Sequence, residues 1–111
     1  MTINDNDIIK TLNASRETGI RMLLSKYQEP LYWHIRRLVV SHDDAQDATQ
    51  ETFVRMFLSL EQFRGDSSLR TWLYRIATNE ALRLIGKRRQ ETISLDSVTT
   101  GVDIIASDNY V

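Results

Sequence analysis

Apolar residues recur along most of this chain at steps of three and four, the spacing that places them on one face of an α-helix, and polar breaks divide them into four segments. The first segment is short: Ile8, Ile9 and Leu12 share a face over about Asp5 to Leu12, with Asn4 or Asp5 as the cap. So brief a helix is expected to pack down on the others as a flap. The second segment runs from about Glu17 to Val40 and carries Ile20, Leu23, Leu24, Tyr27, Leu31, Ile35 and Leu38 along one stripe. Pro30 lies inside it and should kink or split the helix, because proline lacks a backbone donor and crowds the preceding turn.

A third helix is predicted from a cap near His42 or Asp43 to about Leu60, turning Ala45, Ala48, Thr49, Phe53, Met56 and Leu60 inward. Asp43 and Asp44 stand in its first turn, at the positive end of the helix dipole. The polar stretch Glu61-Gln-Phe-Arg-Gly-Asp-Ser67 follows, where Gly65 gives backbone freedom and Asp66 or Ser67 can cap what comes next. The fourth helix, about Ser68 to Arg89, buries Leu69, Trp72, Leu73, Ile76, Ala77 and Leu84 and ends on Lys87-Arg88-Arg89, cations suited to the dipole's negative pole. Past Gln90 the periodicity fails. The expectation is an all-α, compact bundle of about four helices with a polar loop before the last, residues 1–89 forming the domain and 90–111 an acidic linker or tail.

Composition narrows the class. A length of 111 residues suits one core, and a hydrophobic fraction of 41% with 26% charged residues is that of an ordinary soluble domain. With no cysteine, disulfides and thiolate metal sites are excluded and a reducing compartment, the cytoplasm, fits. The polar, acidic start is unlike a signal peptide, and no apolar run approaches the roughly 20 residues of a membrane span.

The net charge of −1 hides a strong segregation. Residues 1–63 hold seven basic side chains against nine acidic; residues 64–89 hold seven basic against two acidic; residues 90–111 hold four acids and no base. A footprint for phosphate is therefore confined to one segment.

Two faces could carry chemistry. On the third helix Asp44, Asp47, Glu51 and Arg55 follow steps of three, four and four and line one solvent-facing stripe, with Gln50 beside it. That stripe reads as a solvated face with one Glu51–Arg55 pair, as a docking surface for a basic partner, or as half of a carboxylate metal site. The last reading lacks the converging Glu-x-x-His pattern it would need. On the fourth helix Arg75, Asn79 and Arg83 share a face, with Thr71, Tyr74 and Thr78 adjoining. Guanidinium groups bind phosphate, and Asn and Thr reach base edges. Phe63, Trp72 and Tyr74 interleave with Arg64, Arg70 and Arg75 as a stacking-plus-phosphate surface for single strands would, although Phe63 and Trp72 serve equally well as core. His34 and His42 adjoin no nucleophile, and neither glycine pattern that cradles phosphate is present, so no catalytic constellation, cofactor or metal is assigned.

The run Asp44-Ala-Gln-Asp-Ala-Thr-Gln-Glu-Thr-Phe-Val-Arg55, followed by Phe63-Arg-Gly-Asp-Ser-Ser-Leu-Arg-Thr-Trp-Leu-Tyr-Arg-Ile-Ala-Thr-Asn79, closely resembles region 2 of extracytoplasmic-function sigma factors, and the likeness extends more loosely over residues 5–89. The resemblance implies that the third helix docks on the clamp helices of the RNA polymerase beta-prime subunit, through Asp47, Gln50 and Glu51 with Phe57 at the edge. It implies that the loop and fourth helix capture the non-template strand of the promoter −10 element. Phe63 and Arg64 would then shape a pocket for a flipped base with Asn79 at its wall, Arg75, Arg83, Lys87 and Arg88 would hold phosphates, and Trp72 and Tyr74 match positions tied to strand separation. It further implies a non-enzymatic transcription initiation factor, an anti-sigma factor as regulator, and a C-terminal helix-turn-helix domain beyond a linker that begins at residue 90. The chain ends before that domain, as a fragment or a truncated form would. A partner for an anti-sigma factor that has lost DNA function and a regulator that binds duplex DNA are the rival readings.

Overall fold

Helix start signals in the sequence act where the backbone needs them. The computed structural model of the protein describes residues 3–63 and 67–100, with side chains through residue 94. Its elements are α1 (Asp5–Ala14), α2 (Arg16–Arg36), α3 (His42–Ser59), a single 3-10 turn (Leu60–Gln62) and α4 (Leu69–Thr100). Among the described residues there is no strand, as an all-α bundle requires.

Asn4 caps α1 by accepting the Asn6 N–H at 2.7 Å, and Ser15 caps α2 by accepting from Thr18. The third cap is Ser41, which accepts the Asp44 N–H at 3.1 Å, in place of His42 or Asp43. Ser68 starts α4 by accepting the Thr71 N–H at 3.0 Å, the role expected of Asp66 or Ser67. Each cap satisfies a donor that a helix start otherwise leaves open. Gly65 and Asp66 lie outside the described residues.

The core forms around α2. Leu23, Tyr27, Leu31 and Ile35 are buried along one stripe, and against them pack Ile8 of α1, Ala45, Ala48 and Met56 of α3, and Leu69, Leu73, Ala77 and Ala81 of α4. Small alanines on α3 and α4 let those helices approach closely, while the larger α2 side chains fill the space between. Phe53, Trp72, Ile76 and Leu84 are half-buried and pack against this core, and Ile20 and Leu24, expected on the α2 stripe, are also only half-buried. Asp5 completes the α1–α2 contact: it accepts the Tyr27 hydroxyl at 2.8 Å and pairs with Lys26 at 2.6 Å. Burial, and then the Asp5 carboxylate, drive the Tyr27 phenol well above its usual range.

Three expectations need correction. α2 ends at Arg36, short of Val40, because the chain must turn to reach the Ser41 cap; the stripe rotates out of phase, so Val39 is buried while Leu38 is exposed. Of the kink or split expected at Pro30, the split does not occur: α2 runs through the proline, which lies on the exposed side. α4 continues past Arg89 to Thr100, so Lys87-Arg88-Arg89 stand inside a helix and the dipole argument for them lapses. Local bonds carry it onward: Arg88 pairs with Glu91 at 3.2 Å and the Thr92 hydroxyl donates to the Arg88 carbonyl at 3.0 Å. Residues 101–111, the rest of the expected tail, lie outside the described residues.

Gly19 is where α1 and α2 come closest. A Cβ there would stand 2.7 Å from the backbone Cα of Leu12. Alanine raises helix propensity by about 1 kcal/mol, but overpacking against backbone costs about 1–3 kcal/mol. Gly19→Ala is therefore expected to lower the thermal midpoint; an unchanged or raised midpoint by circular dichroism would contradict the close packing of α1.

Candidate functional site

The acidic face of α3 divides into a free part and an engaged part. Asp47, Gln50 and Glu51 are exposed. Asp44 is not: it accepts the Arg88 guanidinium of α4 at 2.8 Å. Arg55 likewise turns toward α4, its Nε lying 3.1 Å from Glu80 Oε1 and 3.6 Å from Glu51 Oε1. The distance to Glu80 is that of an ion pair, while the angle falls short of a hydrogen bond at Nε. The single solvent-facing stripe expected from Asp44 to Arg55 is thus split, because α4 crosses α3 on the side where Asp44 and Arg55 project. Phe57, at the far end, is 47% exposed, and the Arg16 guanidinium lies over its ring at 4.8 Å while donating to its carbonyl at 3.0 Å.

Glu80 is the unusual residue of this contact, a carboxylate only 6% exposed. A buried charge is stable only when it is paired, and Arg55 supplies the counter-charge, with Arg83 more loosely at 3.9 Å.

The outer face of α4 carries Arg75, Asn79, Arg83, Lys87 and Arg88, all exposed. Geometry separates them into two groups. Arg75 and Asn79, with Arg70, Thr71, Tyr74 and Thr78, line an open concavity of about 430 Å³. Arg83, Lys87 and Arg88 instead line a groove shared with Asp47 and Glu51 of α3. Arg88 is held there by Asp44 and Glu91, which raise its already high pKa further.

The aromatic residues sit at the start of α4. Phe63 and Trp72 stack with ring centres 4.9 Å apart, both half-buried and packed against the core. Tyr74 is half-buried between the Arg70 guanidinium, 4.5 Å from its ring, and the edge of His34 at 4.9 Å. Arg64 lies outside the described residues. No residue spacing pointed to His34 or Glu80, whereas Arg70 stood in the interleaved aromatic and basic set: the His34–Thr78 contact spans 44 positions and exists only once α2 and α4 pack.

Among the described residues, no cluster of three or more His, Asp or Glu is placed to hold a metal ion, and no helix is long and apolar enough to cross a membrane. The two helices thus present adjoining polar surfaces, one with exposed carboxylates and an amide, the other with guanidinium groups, an amide, hydroxyls and an aromatic ring. Two such faces of opposite charge character on adjoining helices suit recognition of chemically different surfaces.

Comparison with known proteins gives this module its family. The sequence profile described as Sigma-70 region 2 matches residues 23–91. The RNA polymerase sigma-H factor of Pseudomonas aeruginosa is 30% identical over 105 residues, covering 95% of this chain and 54% of the relative. The ECF RNA polymerase sigma-E factor of Escherichia coli K12 is 31% identical over 108 residues, covering 97% and 53%. That of Haemophilus influenzae is 35% identical over 79 residues, covering 71% and 41%. The chain belongs to the Sigma-70 region 2 family, as its motif residues indicated. It spans about half the length of the curated relatives it matches.

His34 offers a pH test of the packing between α2 and α4. Burial, and then the nearby Arg37, hold its pKa below the ordinary 6.5. Between that depressed value and 6.5 the unfolded chain binds more protons than the folded one, so this contribution is full above pH 6.5 and declines as pH falls below it. Thermal melts across that range are expected to show His34→Gln losing less stability on acidification than the native chain; parallel losses would contradict the placement of His34.

Proposed function

We propose that this chain is a non-enzymatic transcription initiation module, which binds RNA polymerase core through α3 and recognises and melts the promoter −10 element through α4 and the loop before it. The observation that carries the reading is that Asp47 and Glu51 on one helix, and Arg75 and Asn79 on the next, all face solvent within one packed unit. Family membership supplies the partners. Asp47, Gln50 and Glu51, with Phe57 at the edge, meet the clamp helices of the beta-prime subunit. Phe63, Arg64, Trp72 and Tyr74 lie on the side of the unpaired non-template strand. Asn79 reads a base, and Arg75, Arg83 and Lys87 meet phosphates; Arg88 joins them only by exchanging a carboxylate partner.

A melted strand exposes unstacked bases, so a surface that accepts one of them both identifies the sequence and retains the open state. Phosphate contacts fix the strand's register, and base-edge contacts supply the discrimination. Polymerase performs all the chemistry, and no cofactor is needed. The module acts where polymerase does, in the cytoplasm, and an anti-sigma factor that covers either face would silence it. In the full-length protein, residues 90–111 lead from region 2 toward a second DNA-reading domain.

Asp47→Ala combined with Glu51→Ala is expected to weaken association with core polymerase about tenfold or more while leaving the thermal midpoint within experimental error. Unchanged affinity in a titration with labelled core would remove the assignment of α3.

The two α4 residues should separate by phenotype. Tested against an oligonucleotide selected from a random single-stranded pool and against its scrambled form, Asn79→Ala is expected to cut the preference roughly 5- to 100-fold with little change in salt dependence. Arg75→Ala is expected to weaken both equally and to reduce the logarithmic salt slope by about 0.7 to 1. Equal losses on both sequences from Asn79→Ala would refute its base-reading role.

A further inference from the structure

The strand-facing side of α4 has a support that belongs to another helix. His34 of α2 lies under the concavity, with its Nε2 2.8 Å from the Thr78 hydroxyl oxygen and its ring edge-on to Tyr74 at 4.9 Å. Thr78 and Tyr74 both line that concavity beside Arg75 and Asn79. The Arg70 guanidinium also lies over the Tyr74 ring, 4.5 Å from its centre, so the tyrosine contacts both an imidazole and a cation.

Resting on the strand-binding reading above, we propose that His34 is a positioning residue for base discrimination: it fixes Thr78 and Tyr74 as the wall against which a base next to Asn79 is read. The chemistry follows from the hydrogen-bond roles. A neutral imidazole that donates from Nε2 occupies a lone pair of the Thr78 oxygen and leaves its O–H free to point outward as a donor. Protonation of His34 would place a cation beside Arg37 on its own helix and near the Arg70-capped Tyr74 of α4, which loosens the same wall. Phosphate contacts from Arg75 do not pass through this bond, so they are expected to survive its loss.

A side chain that orders a wall, and does not itself touch the base, is worth about one ordinary hydrogen bond, or roughly fivefold in a binding ratio. The test uses the chain bound to polymerase core, presented with the selected oligonucleotide and its scrambled form. His34→Ala is expected to lower the preference about fivefold with the salt slope unchanged, Thr78→Val to match it, and the double variant to do no worse than either, since both remove one interaction. His34→Gln, whose amide can reach the same hydroxyl, should restore most of the preference. In the native chain the preference should hold above pH 6.5 and fall as the pH drops below it, since burial keeps His34 neutral to lower pH than a free imidazole, and in His34→Gln it should stay flat.

An unchanged preference in His34→Ala, or equal losses on both sequences, would overturn the positioning role. Should His34→Ala fail to fold, the glutamine variant and the native pH profile decide, and a flat native profile refutes the inference. If the native chain binds single strands but prefers none, the base-reading function itself fails, a result distinct from a preference that ignores His34.

Discussion

The pairing of Glu80 with Arg55 is the constraint on which the arrangement of the two faces depends. A carboxylate in the middle of α4, nearly removed from water, needs a cation at a fixed place, and that cation comes from α3. Such a pair adds little net stability over an apolar contact of the same shape, but removing one partner strands a charge in the interior. Its effect is registration: α4 can slide or rotate against α3 only by exposing Glu80 to a poorer partner. The Asp44–Arg88 bridge, two turns further along α4, repeats the constraint at a second point. Two points define a line, so the exposed carboxylates of α3 and the exposed guanidinium groups of α4 hold a set relation to each other.

Beneath that pairing, α2 serves as the common floor. Its stripe of Leu23, Tyr27, Leu31 and Ile35 meets α1, α3 and α4 in turn, and the smallest side chains lie on the helices that must carry function on their outer sides. Functional faces on rigid helices are positioned better than faces on loops, provided the helix backs are locked. Here the backs are locked by alanine and leucine against large α2 residues. The same geometry explains why α2 contributes a polar residue to the site: the flank of the stripe that carries His34 runs directly under Tyr74 and Thr78.

What could be read from the sequence was what local periodicity encodes. Steps of three and four revealed the four helices, the inward set of α3 and the outward positions of Asp47, Glu51, Arg75 and Asn79, because a helix face is a property of spacing alone. Helix boundaries were less legible where two signals compete. Leu38 fits the α2 stripe by arithmetic, yet the turn to Ser41 intervenes; the serines and threonines after Gln90 resemble a linker in composition, yet α4 runs through them, with the Arg88–Glu91 ion pair on its surface. Least legible were the tertiary partners. Asp44 and Arg55 look like surface residues at any spacing, and only the crossing of α4 turns them into its anchors. His34 likewise has no sequence neighbour that explains it.

The segregation of charge along the chain needs the same tertiary correction. Counted by segment, Arg83, Lys87 and Arg88 look like the centre of a phosphate footprint, but in space they share a groove with Asp47 and Glu51. Their field is partly cancelled from across the groove. The concavity toward the start of α4 differs: its lining holds two arginines, two hydroxyl residues, an asparagine and a tyrosine, and no carboxylate. Arg70 and Arg75 therefore stand there with no acid opposing them in the lining, beside the aromatic and amide groups. A chain of net charge −1 can thus present a cationic site, because its acids lie elsewhere along the chain and none of them lines this concavity.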